Sequence, residues 1–147
     1  MQLMVVEFAR NELGLNAGSE EFADQDQELV VSEMPEQKNI EEMGGTMRLG
    51  SYTAEVEGEV KRIYGSDTAT ERHRHRFEVD PKYHDELEEK GLKISGTTKG
   101  GKLAEYVELP DHSFFIGTQS HPEFTSTFES PNPLYLEFME KSSEKNR

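Results

Sequence analysis

The chain has 147 residues, with 16 Lys and Arg against 30 Asp and Glu, a formal charge of −14, and 33% strictly hydrophobic residues. That length suits one compact domain with a lean core, and the acidic excess opposes nucleic acid and anionic membranes as general partners. The sequence contains no cysteine, which excludes disulfides, thiolate metal sites and a cysteine nucleophile within it.

Leu3, Met4, Val5, Val6, Phe8, Ala9 and Leu13 predict a first helix that is apolar on nearly all sides, with Gly14 as its C′ stop. No basic stretch precedes these residues, so they do not read as a secretory signal, and the expected location is cytoplasmic. No apolar run approaches the roughly 20 residues of a transmembrane helix. Residues 20–42 hold nine acids against one base, Lys38, and read as a solvated surface loop around a short strand at Leu29-Val30-Val31. MGGTMRLGSY, residues 43–52, has three glycines and predicts a mobile, shaped loop entering a strand, with Arg48 pointing outward. Residues 59–64 can form a short helix. Asp80 can cap a helix with Pro81 at its first position, running through Tyr83 and Leu87 to Gly91. Residues 92–98, 103–109 and 113–119 are strand-like, separated by turns at Gly100-Gly101 and Pro110-Asp111. Asn132 and Pro133 open a last helix carrying Leu134, Leu136, Phe138 and Met139.

Four clusters could carry chemistry. In TQSHPEF, residues 118–124, His121 and Glu123 stand two apart around a proline that stiffens the turn. A histidine acting as general base needs a carboxylate to fix its tautomer and stabilise its imidazolium, and Glu123 can turn back to do so. In ERHRHRF, residues 71–77, alternation places Arg72, Arg74 and Arg76 on one face of an extended segment and His73 and His75 on the other. Guanidinium forks match carboxylate or phosphate, whereas a His73/His75 metal pair lacks an apparent third ligand. GGTMRLG, residues 44–50, lacks the lysine of a phosphate-binding P-loop and does not match the dinucleotide fingerprint. Gln2 with the acidic pair Glu20-Glu21 forms the fourth cluster, which says nothing in isolation.

Taken together, GGTMRLG, ERHRHRF, the Gln-x-His-Pro-Glu-Phe-Thr-Ser run at 119–126 and Pro133-Leu134 closely resemble the glutaminase domain of the CTP synthase family. The opening MQLMVVEFAR resembles that family's helix after its nucleophile motif, Gly-x-Cys-Leu-Gly-Met-Gln. The resemblance implies an α/β fold, the flavodoxin-like three-layer sandwich of class I glutamine amidotransferases, doubly wound and lacking its first strands. Residues 1–141 would form the C-terminal part of the glutaminase domain and 142–147 a frayed tail. It also implies Cys-His-Glu hydrolysis of glutamine, with ammonia passed to a synthetase domain that uses ATP and Mg²⁺ to aminate UTP. His121 then matches the general base and Glu123 its orienting partner. Gln2, Glu21 and Arg76 match glutamine-binding residues, Arg76 acting through the strand backbone as much as its guanidinium. Arg48 and its loop match a lid associated with GTP activation.

On this alignment Met1 falls on the methionine of the nucleophile motif, which puts the cysteine three residues upstream. The isolated chain is therefore expected to be inactive. No cofactor or metal is expected within it; ATP and Mg²⁺ belong to the synthetase domain of a homotetrameric parent. Two rival expectations are a non-catalytic glutaminase-like binding or regulatory module and a metal-binding protein using His73 and His75.

Overall fold

The computed structural model describes residues 1–33 and 47–144, so Lys38 and the Gly44-Gly45 portion of the expected loop lie outside the described residues. Helix α1, Gln2–Glu12, buries Val5, Val6, Phe8 and Ala9, the helical spacing of one face. Leu3 on the opposite side is 67% exposed, so the helix is one-sided rather than apolar all round. Gly14, at φ +71°, turns the chain after it, with Leu15 N–H returning to the Ala9 carbonyl at 3.2 Å.

Strands β1 (Ala17–Ser19), β2 (Glu28–Ser32) and a later strand β5 (Glu78–Val79) form a small sheet in the order β1-β2-β5. β1 and β2 run parallel, and β2 and β5 antiparallel. A five-stranded antiparallel sheet is built from β3 (Arg48–Val56), β4 (Thr68–His75), β6 (Lys93–Thr98), β7 (Ala104–Glu108) and β8 (Ile116–Thr118), in the order β4-β3-β6-β7-β8. The doubly wound parallel arrangement thus appears in one strand pair among the described residues, beside an antiparallel extension.

Helix α2, Gly58–Tyr64, follows β3, where the Glu108 carboxylate accepts from the amides of Glu59 at 3.2 Å and Val60 at 3.4 Å. Asp80 caps its turn as expected, accepting from Lys82 N–H at 3.0 Å. The segment after it divides into a 3₁₀ turn, Pro81–Tyr83, and helix α3, His84–Glu89. Helix α4 runs Pro133–Glu144. It absorbs the start of the expected frayed tail, because Ser142 and Ser143 direct their hydroxyls back to the carbonyls of Phe138 and Glu140. The expected strand at 113–119 pairs over Ile116–Thr118 alone. Before it, His112 N–H bonds the Leu109 carbonyl and Phe114 N–H bonds His112 Nδ1, which folds the chain into a tight turn.

Two apolar clusters hold the elements together. The first joins α1, β1, β2, β5 and α3 through Phe8, Ala17, Val30, Val31, Val79 and Leu87. The second joins β3, β4, α2 and α4 through Ala54, Val60, Ala69 and Leu134. β7 serves both, contributing Val107 to one and Tyr106 to the other, as alternation along a strand requires. At Gly117 an added Cβ would lie 2.6 Å from Met4 Sδ, so glycine lets the start of α1 close onto β8. That contact brings Gln2 beside the chain leaving β8, where the site begins.

Candidate active site

β4 delivers the alternation read from ERHRHRF as far as His75: Glu71 and His73 point inward and Arg72 and Arg74 outward, while Arg76 lies in a bend after the strand ends. β3 pairs with it in the register Ser51↔Arg72 and Leu49↔Arg74. The segment leaving β8 then turns back over β4, and His121 N–H bonds the Arg72 carbonyl at 2.7 Å. Pro122–Phe124 forms a 3₁₀ turn, closed by Phe124 N–H on the His121 carbonyl at 3.0 Å.

Within that turn His121 Nδ1 lies 2.7 Å from Glu123 Oε1. An ionised carboxylate can only accept, so Nδ1 carries the proton and Nε2 is left with its lone pair. The imidazole also stacks on Phe124, with centroids 5.1 Å apart. Partial desolvation pushes Glu123 up, but the bond to His121, a backbone amide and the Tyr135 hydroxyl outweigh it and hold the carboxyl below its ordinary value. This is the arrangement a general base and its orienting carboxylate require.

A cleft of about 600 Å³ opens beside the pair and is lined by Gln2, Glu21, Arg74, Arg76, Gln119 and His121, among others. Gln2, Glu21, Arg76 and His121, separated by up to 119 positions in sequence, thus share one cavity. Its floor is fixed by the Phe77 carbonyl, which accepts from both Gln2 Nε2 and Gln119 Nε2 at 2.8 Å. Gln119 also donates to Glu78 Oε2 at 3.1 Å. Phe77 and Glu78 were not legible as site residues; the bonds that place them span 41 to 75 positions.

Arg48 is not the outward arginine of a mobile loop. It begins β3, its side chain is 13% exposed, and its guanidinium nitrogen lies 2.7 Å from Glu105 and 3.1 Å from Glu78. Both carboxylates are buried, and two buried acids demand a cation more than solvent does. Arg48 also covers the Tyr52 ring at 4.6 Å. His75 Nε2 reaches Glu78 at 2.8 Å. Burial alone would raise Glu78, yet the bonds to His75 and Arg48 hold it low. Burial raises Glu105, and Arg48 offsets that in part. His73 stands 3.4 Å from Glu105 and is pushed down to about 4, first by burial and then by the charges of Arg48 and His75. His73 and His75 are therefore engaged in this buried cluster, and among the described residues no group of three or more His, Asp or Glu is placed to hold a metal ion.

The mixed α/β frame that carries this cleft matches one family. The model for class I glutamine amidotransferases matches residues 1–141, and the chain belongs to that family. More particularly, it is 49% identical over 147 residues to a CTP synthase of Methanococcus maripaludis, covering 99% of this chain and 28% of that protein. It is 50% identical over 138 residues to a CTP synthase of Methanocaldococcus jannaschii, covering 92% of this chain and 26% of that one. The chain thus spans little more than a quarter of the length of these curated relatives. Among solved structures, the glutaminase domain of Trypanosoma brucei CTPS with bound acivicin superposes with a TM-score of 0.89 at 38% identity, over 98% of this chain and 57% of that one. The class I fold expected from the sequence is shown by these matches. No helix among the described residues is long and apolar enough to cross a membrane.

Proposed function

We propose that this chain forms the histidine–glutamate side of a glutaminase site that releases ammonia for the amination of UTP to CTP. The observation that carries the reading is the 2.7 Å contact between His121 and Glu123 at the edge of a cleft shared with Gln2, Glu21 and Arg76. A thiol supplied by sequence outside this chain gives its proton to His121 Nε2 and attacks the side-chain amide carbon of glutamine. His121 returns the proton to the departing ammonia, and then activates the water that hydrolyses the thioester. Glu123 stabilises the imidazolium at each stage. Gln2, Glu21 and Arg76 hold the substrate, Glu21 as the partner of its ammonium.

The similarity to CTP synthases supports the remaining assignments: a synthetase domain as partner, GTP as activator, a homotetrameric parent and a cytoplasmic location. ATP and Mg²⁺ chemistry is assigned to that synthetase domain on the same similarity. With Arg48 committed to Glu78 and Glu105, its proposed part in GTP activation becomes one of holding the start of β3 rather than reaching for the nucleotide.

The test joins the chain to an upstream segment bearing Gly-x-Cys-Leu-Gly. Glutaminase activity is expected to appear, to fall by about 10²–10⁴-fold in His121→Ala and by less in Glu123→Ala. The chain without that segment is expected to keep its mass unchanged in the presence of an electrophilic glutamine analogue. A covalent adduct on the chain alone, or a His121→Ala enzyme with full activity, refutes the assignment.

A further inference from the structure

Glu71 is 4% exposed, in neither the cleft lining nor the Arg48 cluster. A buried carboxylate is costly unless donors replace its water, and three side chains from three segments do so. Tyr64 Oη at the end of α2 lies 2.9 Å away, Thr125 Oγ1 2.5 Å and Asn132 Nδ2 2.5 Å. Thr125 closes the turn that carries Glu123, its N–H bonded to the Pro122 carbonyl at 3.2 Å. Asn132 opens α4, its Oδ1 accepting from Leu134 N–H at 3.0 Å.

The next residue on β4, Arg72, accepts the His121 amide on its carbonyl. Neighbouring residues of one strand therefore pin both ends of the segment 121–125: Arg72 through the backbone at His121, Glu71 through the side chain of Thr125. The pair between these pins has little burial to fix it, since the His121 and Glu123 side chains are 37% and 51% exposed. An exposed charged contact left to itself is weak and geometrically loose; beside the Phe124 stack and the Tyr135 hydroxyl, the turn's anchorage fixes its geometry.

We propose that Glu71 is a positioning residue for the His121–Glu123 pair, holding the far end of the turn through Thr125 so that the Glu123 carboxylate stands where it accepts from His121 Nδ1. Its catalytic meaning rests on the glutaminase reading, whereas the clasp is a property of this chain alone.

The experiment is ring-nitrogen NMR of His121, with carboxyl-carbon titration of Glu123, on the chain itself. Glu123→Gln supplies the spectrum of a histidine without its carboxylate partner. Thr125→Val keeps the side chain's shape and removes the hydroxyl; it is expected to move neutral His121 from the Nδ1–H form toward the Glu123→Gln spectrum and to raise Glu123 toward its ordinary value. Glu71→Gln should shift both in the same direction but less, because its amide can donate to Thr125 Oγ1 while its oxygen accepts from Asn132. Tyr64→Phe removes a Glu71 bond away from the turn and should lower thermal stability without moving the His121 signals. The proposal is overturned if folded Thr125→Val reproduces the parent spectrum, or if Tyr64→Phe shifts it equally. A normal shift in Thr125→Val, accompanied by full glutaminase activity of His121→Ala in the extended protein, would instead overturn the glutaminase reading and leave the clasp standing.

Discussion

Replacing Arg48 by methionine keeps most of the side-chain volume and removes the charge between Glu78 and Glu105. The pairing is buried, with the three side chains 13%, 0% and 2% exposed. Removing one partner of a buried ion pair costs about 3–5 kcal/mol, since the remaining charge has lost both water and counter-ion. Glu105 can relieve part of this by taking up a proton, so the loss near neutral pH should be at the lower end, about 3 kcal/mol. For a domain of this size that corresponds to a fall in Tm of roughly 6–12 °C. The pH dependence has a definite sign. Burial raises the folded-state Glu105 carboxyl, and losing Arg48 raises it further. A raised carboxyl favours the folded chain below its unfolded value, and that advantage disappears as pH rises through the folded one. Glu78 is held low partly by Arg48 and loses stabilisation above the ordinary carboxylate range when the guanidinium goes. Both effects make the deficit small in acid and largest near neutrality. Urea denaturation at pH 5 and pH 7.5 reads it. A loss under about 0.5 kcal/mol, as an outward arginine would give, or a deficit that grows on acidification, refutes the buried counter-ion.

Leu87 is fully buried in the first apolar cluster, and Leu87→Ala should lower urea-denaturation stability by about 2–5 kcal/mol through the cavity it leaves. Gly96→Ala would drive a Cβ into the Tyr106 ring; the overpacking should cost about 1–3 kcal/mol by thermal denaturation. His73 has its folded-state value pushed from 6.5 to about 4, so folding stability should be present above pH 6.5 and fall as pH drops toward 4, where the buried imidazole must charge. His73→Phe should flatten that part of the stability–pH curve.

The residues that could be read from sequence are those whose partners are near in the chain. The alternation of Glu71 to His75 declares itself because a strand has a two-residue period, and the Asp80 cap because the amide that donates to it is two residues on. His121 and Glu123 are legible for the same reason. Arg48 reads as an outward loop residue because its sequence neighbours include glycines, while what fixes it are Glu78 and Glu105, 30 and 57 positions away on β5 and β7. The shortening of the strand at 113–119 follows from a turn built on the His112 side chain, which an apolar pattern does not reveal. That Gln2, Glu21, Arg76 and His121 share a cleft came from resemblance; no periodicity joins four such distant positions. Glu71 fits the strand pattern, but its three donors come from segments that only the folded chain brings together.

β4 is an outer strand of the five-stranded sheet among the described residues, and an uncovered strand edge is a template on which other chains can add. The turn carrying His121 takes up one acceptor of that strand, the Arg72 carbonyl, while Arg72 and Arg74 put charge beside it. The segment assigned to proton transfer thus also occupies one of the positions at which a foreign strand would pair. A variant that frees the turn would be expected to lose colloidal stability together with its chemistry, and insoluble protein from such a variant would report an unblocked edge rather than a failed core.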